Sequence, residues 1–434
     1  MTGDKLKRLS RALRRELIQR RLPHGLVSPA YLWPSADERV QIHRALWWKH
    51  GDRWPRPLWL AAECWLWLRW VCWHAVPACR RILRRQASIV EREEGISCRI
   101  QGLRILKLAF FWCIPPRESY RYRLYRVPNA ALDYVYEAET FAYHVWRSEL
   151  LGLKADSLRR LQDKLRLADE LAEIGIPVVA TFAMAREYCE APWLEMLVKK
   201  HGRVFCKANS GNQGRGAFLA WGTPDGIAGQ TFSGASLPDA VAVEVAWRQL
   251  LAEDSALIQP YLENHPDLAP LAYNKETITV RFISQWDADP DKGLSICRCL
   301  SATLEVPAGR TANGDTFYAI LPIHPETGAF MPPELSLIAE QAVRDAVFSV
   351  QYAAQVISLL PNWNRLTELS CRAHAGLPDI RAIAWDWVLT PSGPVLLEGN
   401  FGWRTATAQA RQGGLIFSLM NGRMPQPILA GIRF

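Results

Sequence analysis

Two apolar runs near the C-terminus carry the most chemistry. Ile383-Ala384-Trp385-Asp386-Trp387-Val388 and Val395-Leu396-Leu397-Glu398-Gly399-Asn400 are separated by Pro391-Ser392-Gly393-Pro394. Apolar runs joined by a Pro/Gly turn predict a β-hairpin. Such a hairpin brings Asp386, Glu398 and Asn400 to one place. Three hard oxygen donors on a rigid pair suit Mg²⁺, which keeps waters and takes its remaining ligands from phosphates. The bland alternative is two exposed strand-end acids. Asp386 argues against it: between Trp385 and Trp387 its carboxylate needs a partner, because burial without one is costly.

Upstream, Val204-Phe205-Cys206-Lys207 is an apolar run ending in a lysine, followed by the loop 208–216 with Gly211, Gly214, Arg215 and Gly216. Glycines let backbone amides approach an anion, and Lys207 would place a point charge on phosphates. No Gly-Lys-Ser/Thr closes the loop and no GxGxxG is present, so neither a P-loop nor a dinucleotide fingerprint is read. A plain hairpin turn remains the alternative. In Glu276-Thr277-Ile278-Thr279-Val280-Arg281-Phe282-Ile283, alternation puts Thr277, Thr279 and Arg281 on one strand face. There Arg281 could fork onto a transferring phosphoryl group, or be a solvated arginine on an amphipathic strand.

The order lysine, glycine loop, Gln259-Pro260-Tyr261-Leu262, strand arginine, Asp386, then Glu398-Gly399-Asn400 resembles the ATP-grasp superfamily. Gln-Pro-x-Leu-x-x-His-Pro, then Thr-x-Arg, then Leu-Glu-Gly-Asn, is similar to the sugar-transfer-associated ATP-grasp branch, related to α-L-glutamate ligases. The resemblance runs from about Leu158 to Phe434. It implies an α+β ATP-grasp fold, two subdomains gripping ATP, with ATP and Mg²⁺ as cofactors. It also implies that Gln259, Pro260, Tyr261 and Leu262 form the adenine hinge, with Glu263 or His265 reaching the ribose. Asp163-Lys164, a helix and then Gly175-Ile176-Pro177 resemble the start of the first subdomain. Lys164 is a nucleotide candidate there, against the alternative of a surface lysine. Two departures fall on the acceptor side: Thr311-Ala312-Asn313-Gly314-Asp315-Thr316 lacks paired glycines, and Phe401-Gly402-Trp403 replaces the usual Pro-Gly.

The activity implied is a carboxylate–amine ligase. Mg²⁺ on Asp386, Glu398 and Asn400 would serve a carboxylate attacking the γ-phosphorus, with Lys207 and Arg281 adding positive charge. Arg404 and Arg310 are candidates for holding the carboxylate substrate. Two other classes stay open: phosphotransfer to a hydroxyl or sugar, and a scaffold that binds nucleotide without turnover.

The elements that must position these residues divide unevenly by charge. Residues 1–126 hold 26 Lys+Arg against 10 Asp+Glu, whereas the remainder holds 26 against 33. An anionic partner is expected for the first part and an enzyme-like surface for the second. Leu6, Leu9, Leu13 and Leu17 among basic residues predict an amphipathic helix over 4–22, suited to an anionic membrane or to docking by its leucines. Eight tryptophans lie between Trp47 and Trp73. The run Leu58–Val76 is bounded by Pro57 and Pro77, and three readings compete: a helix buried or facing a partner, an interfacial helix, or a span. Glu63 and Arg69 inside it weigh against a span. No nucleic-acid module is present, so nucleic acid is not an expected partner.

Helices are expected over 127–153, Ser157–Ile174 and Asp239–Ala252. His201, His324 and His374 are scattered and read as loop or core histidines. Ten dispersed cysteines without a CxxC pair, and a charged start without an apolar h-region, predict a cytoplasmic protein, with the inner membrane face as candidate docking surface. The division expected is a basic Trp-rich helical region (1–126), a helical linker with the first ATP-grasp subdomain (127–200), a nucleotide lid (201–262) and a central catalytic subdomain (263–434). Small-molecule or lipid-linked carboxylate and amine substrates are the expected partners; oligomeric state is not legible.

Overall fold

The structure is a computed structural model, described for residues 19–52, 54–186, 191–210, 216–253, 255–288, 295–311, 316–331 and 341–418. Most of the expected basic helix over 4–22, and Gly211, Gly214 and Arg215 of the glycine loop, lie outside these residues.

Helices come first: α1 (Glu38–Gly51), α2 (Arg56–Arg69), α3 (Ala75–Glu94), α4 (Cys98–Phe111), α5 (Pro116–Arg121), α6 (Thr140–Glu149), α7 (Ala155–Gln162) and α8 (Lys164–Glu173). Two sheets follow, each with its own helices. The first has six strands in the order β1-β6-β2-β3-β4-β5: β1 (Ala183–Ala185), β2 (Arg203–Ala208), β3 (Phe218–Thr223), β4 (Gly226–Thr231), β5 (Ser236–Leu237) and β6 (Ala256–Pro260). Helices α9 (Ala191–His201) and α10 (Ala240–Glu253) pack on it around Trp247 and Phe218. The second has five strands in the order β11-β10-β7-β8-β9: β7 (Thr279–Ala288), β8 (Ser295–Arg310), β9 (Thr316–Ile323), β10 (Ala382–Thr390) and β11 (Gly393–Asn400). Helices α11 (Gln341–Ile357) and α12 (Trp363–Ala375) precede β10, and α13 (Ala406–Gln412) and α14 (Leu415–Ser418) follow β11. All strand pairs within the two sheets are antiparallel.

Every residue of β10 is buried, because both of its faces are covered. On one face Ile383, Trp385, Trp387 and Leu389 join Val280, Phe282, Leu304 and Val306 in a core closed by α7, α8, α11 and α12. On the other, Ala382, Ala384 and Ile283 pack against Ile42 and Leu46 of α1, Tyr143 and Trp146 of α6, and Trp403. The basic N-terminal region is therefore fixed to the five-stranded sheet. Gln409 secures the junction: its Oε1 accepts from the amides of Val135 (2.7 Å) and Leu415 (3.1 Å), and its Nε2 donates to Val135 O (2.7 Å).

Three helix expectations change. The helix over Ser157–Ile174 breaks at Asp163, whose side chain accepts from the amide of Arg166 (3.1 Å) and caps α8. Residues 127–153 form a 3₁₀ turn (Pro128–Asp133) and α6 rather than one helix. Pro77 does not end the tryptophan helix. It sits in the first turn of α3, where its missing N–H costs little, and a π-turn (Trp70–His74) joins α2 to α3. Trp59, Glu63, Leu66 and Trp70 face inward. Buried Glu63 accepts from Trp47 Nε1 (2.7 Å) and lies 2.7 Å from His24 Nδ1. No helix among the described residues is long and apolar enough to cross a membrane.

Candidate active site on the five-stranded sheet

Strand pairing lines up the charged residues. Asp386 of β10 is the cross-strand partner of Glu398 on one side and Arg281 on the other. Two residues along β11, Asn400 returns to the same face. Its Nδ2 donates to Asp386 Oδ2 (3.0 Å) and to Glu398 Oε1 (3.1 Å). One amide atom thus reaches both carboxylates, so the two acids converge on a single position. The row occupies the face of β10 that the N-terminal region covers at Ala382 and Ala384, just past the edge of that cover.

Gly399 explains how β11 comes so close. It pairs with Trp385, and a Cβ there would lie 2.6 Å from the indole Cζ3. The indole is held from behind: Trp385 Nε1 donates to Ser284 Oγ (2.7 Å), which lies 2.7 Å from His374 Nδ1. His374 Nε2 reaches Ile380 O at 2.9 Å. Burial lowers the His374 pKa to about 4, so the ring is neutral and donates from Nε2. His374 is a core histidine, as expected.

Arg281 forks onto Asp386, Nε to Oδ1 at 2.9 Å and Nη2 to Oδ2 at 3.0 Å. Its Nη1 lies 3.2 Å from Glu305 Oε1. The fork anticipated for a phosphoryl group is thus engaged with the acid of the neighbouring strand. Burial raises the Asp386 carboxyl above its ordinary range, although Arg281 opposes this. Burial also raises Glu305, again against Arg281. Burial works against the Arg281 charge, but Asp386 and Glu305 outweigh it and raise its pKa.

Lysines reach the row from two other elements. Lys164, at the start of α8, has Nζ 3.6 Å from Glu398 Oε2 and donates to Asn209 O (3.3 Å). Lys207, at the end of β2 in the six-stranded sheet, feels Glu398, Lys164 and Asp386. Burial lowers its pKa to about 8, Lys164 adds to that, and the two acids resist it. Residues nearly 200 positions apart thus share one electrostatic site between the two sheets.

The chain's residues 154–421 match the family model for sugar-transfer associated ATP-grasp proteins. The chain belongs to that ATP-grasp family. No curated protein of known function matches it. Among solved structures it is similar to the D-alanine–D-alanine ligase from Coxiella burnetii: 11% identity, 61% of this chain and 56% of that one covered, TM-score 0.31. It is also similar to the biotin carboxylase domain of the Hydrogenobacter thermophilus 2-oxoglutarate carboxylase: 14% identity, 80% and 68% covered, TM-score 0.37. The chain spans little more than half the length of the first of these.

The other expected ATP-grasp positions are placed as follows. Gln259 is buried on β6, its Nε2 3.4 Å from Thr181 Oγ1, and Pro260 ends that strand. The ring of Tyr261 lies under the Arg203 guanidinium, 5.5 Å from its centroid. Leu262 O accepts from Thr277 Oγ1 (3.3 Å), and Glu263 is exposed. His265 turns into its own loop, accepting at Nδ1 from the Asp267 amide (3.3 Å). Gly216 adopts φ +72°, a left-handed conformation that suits glycine. Arg310 ends β8 paired with Glu276, and its Nη1 also reaches Ser233 O between β4 and β5 of the six-stranded sheet. Arg404 is exposed beyond Trp403, whose carbonyl lies 2.8 Å from His144 Nε2.

Two site residues, Glu305 and Asn209, escaped the sequence reading, and a third, Asp163, entered it only as part of the pattern with Lys164. Glu305 was readable in principle: it alternates with Thr303 on the strand opposite Arg281. Asn209 lies two residues beyond Lys207; its Oδ1 accepts from the Leu165 amide (3.1 Å) and its Nδ2 donates to Asp163 Oδ1 (3.2 Å). It ties the six-stranded sheet to α8. Asp163 carried the ordinary signal of an N-cap.

The donor set fits Mg²⁺. Two carboxylates and an amide converge, and rotation of the Asn400 amide would present its oxygen. Among the described residues no three His, Cys, Asp or Glu side chains gather to hold an ion. Two acids suit an ion that takes its other ligands from water and phosphate.

Proposed function

We propose that this chain is an ATP- and Mg²⁺-dependent ligase that activates a carboxylate and joins it to an amine. The observation carrying the reading is the convergence of Asp386, Glu398 and Asn400 with Lys164 and Lys207, in a chain of the ATP-grasp family. Asp386, Glu398 and Asn400 would hold Mg²⁺, which when bound neutralises phosphate charge.

The chain's own groups set up the rest. Lys207 and Lys164 contribute positive charge where phosphate oxygens would lie, and partial burial strengthens it. Arg281 orients Asp386 and opposes the rise that burial imposes on its carboxyl. In the first half-reaction a substrate carboxylate oxygen bonds to the γ-phosphorus and the bond to ADP breaks. In the second an amine nitrogen bonds to the acyl carbon, phosphate leaves, and the nitrogen gives up a proton. The lid sheet, carrying Lys207, would exclude water from the acyl-phosphate. We place the acceptor among sugar-bearing or lipid-linked cell-envelope intermediates, because the family is associated with sugar transfer.

The test is ADP release against a panel of amino acids and amino sugars, with products read by mass spectrometry. An amide product, lost in Lys207→Ala and Glu398→Gln, supports the ligase. ADP with a phosphorylated sugar would establish phosphotransfer instead, and nucleotide binding without turnover across the panel would establish a scaffold.

A further inference from the structure

We propose that the outward face of the continuous helix 56–94 docks on an anionic membrane surface, lying in the plane of the headgroups. Helix α2 is apolar on both sides, and one side is buried while the other is exposed. Its inner row is Trp59, Glu63, Leu66 and Trp70. Its outer row, at spacings of three and four, is Leu58, Ala61, Trp65, Leu68 and Cys72, all exposed and none charged. Leu58 is 59% exposed, Leu68 47% and neighbouring Trp73 61%. A row of this kind facing water is unfavourable, and contiguous apolar patches mark interaction surfaces.

The same helix changes character after the π-turn. Arg80, Arg81, Arg84 and Arg85 are exposed along α3. Helix α4 packs beside it, with Trp70 Nε1 donating to Ala109 O (2.8 Å), and adds exposed Arg99, Lys107, Leu103 and Phe111. Tryptophan and leucine beside a block of arginines match a bilayer interface, where indoles sit at the headgroup level and guanidiniums meet anionic lipid. A crossing is excluded by Glu63, which is bound inside the protein to Trp47 and His24.

Charge decides among occupants. A second copy related by a twofold axis would set this arginine block against its own equivalent, at a cost in like-charge repulsion. Residues 5–18 of this chain hold Lys5, Lys7, Arg8, Arg11, Arg14 and Arg15, so they carry the same sign of charge as the block. An anionic surface attracts both. The N-terminal region is packed on the catalytic sheet through Ile42, Leu46 and Tyr143, so docking would hold the whole sheet at a fixed attitude to the bilayer.

The test is co-sedimentation of the full chain with phosphatidylcholine vesicles, pure or with about 30 mol% phosphatidylglycerol. We expect binding to the anionic vesicles only, weakening as salt rises. Leu68→Ser with Trp73→Ser should reduce binding at least about tenfold, the loss of two apolar anchors. Arg80→Gln, Arg81→Gln, Arg84→Gln and Arg85→Gln together should do the same by a route that leaves the helix packing untouched. Near-UV circular dichroism confirms each fold, and none of these residues belongs to the ATP-grasp site. Equal binding to both vesicles, or binding unchanged in the arginine variant, overturns the proposal. So does a dimer of the free chain that the Leu68/Trp73 variant converts to monomer, which would assign the face to self-association.

Discussion

Arg281 and Asp386 face each other across neighbouring strands and are joined by two parallel hydrogen bonds of 2.9 and 3.0 Å. Their planes match because cross-strand pairing fixes both Cβ positions, and a guanidinium forks naturally onto a carboxylate. Asp386 is 6% exposed, so removing its partner leaves a charge with little solvent to replace it. Arg281 is itself partly exposed and Asn400 still donates to Asp386, so Arg281→Met should cost about 1–3 kcal/mol. Arg281→Lys should recover only part of this, because a point charge cannot engage both oxygens. Urea unfolding of the three proteins reads the order directly; equal stability for methionine and wild type would show that the pair does not orient Asp386.

Lys207 gives a pH dependence of definite sign. Its pKa in the folded chain is about 8, below the ordinary lysine value, chiefly because it is buried. The unfolded chain therefore binds its proton more tightly. Below pH 8 the charged lysine opposes folding by a constant amount, and the penalty fades as pH rises from 8 towards 10.5. Lys207→Met should thus raise stability at pH 7 by roughly 1–2 kcal/mol, allowing for partial exposure, and by nothing near pH 10.5. Nucleotide affinity should run the opposite way, falling in the wild type above pH 8 as the charge is lost, and low at every pH in the methionine variant. Thermal unfolding and nucleotide titration across pH 6.5–10 check the two limbs.

Glu398 and Asn400 separate metal binding from stability. Glu398 is partly exposed and bonded to Asn400, so Glu398→Gln loses charge without leaving a buried orphan. Its stability should change by less than about 1 kcal/mol. The effect of Mg²⁺ on nucleotide affinity should fall at least about tenfold, since one of two hard anionic ligands is gone. Nucleotide titrations with and without Mg²⁺ measure this. An unchanged Mg²⁺ effect would move the ion elsewhere.

How much of this was legible follows physical lines. The hairpin was readable because both its strands are apolar and the turn carries Pro and Gly. The Asp386–Arg281 pairing was not, since antiparallel register between strands a hundred residues apart leaves no local trace. The tryptophan helix shows the same limit: buried, interfacial and spanning readings competed, because the sharing of Glu63 between Trp47 and His24 that settles its inner face is tertiary. Nor could sequence reveal that α1 and α6 cover the face of β10 at Ala382 and Ala384, because their apolar faces suit many partners. Gln409→Leu tests that junction. It removes the partners of Val135 N and Leu415 N and one of two donors to Val135 O, which keeps Thr405 Oγ1, and should cost about 2–4 kcal/mol at constant side-chain volume. Chemical denaturation should still show a single transition, since the two regions share one core.

Gly399 offers the sharpest test of the site geometry. It lies between Glu398 and Asn400 on β11 and directly across from Trp385. An alanine methyl would meet the indole at 2.6 Å, and the ring cannot yield, because Ser284 holds its Nε1. The strand must therefore retreat, carrying Glu398 and Asn400 away from Asp386. Gly399→Ala should cost about 1–3 kcal/mol, the usual range for overpacking. It should also weaken Mg²⁺-dependent nucleotide binding as strongly as Glu398→Gln does, although no ligand has been altered. Trp385→Phe removes the ring atoms that clash. By itself it is destabilising, through the lost bond to Ser284 and the space left behind. Combined with Gly399→Ala it should be less damaging than the sum of the two single changes, with a coupling of about 1 kcal/mol or more in stability. Strict additivity in that cycle would mean that the indole does not set the position of β11.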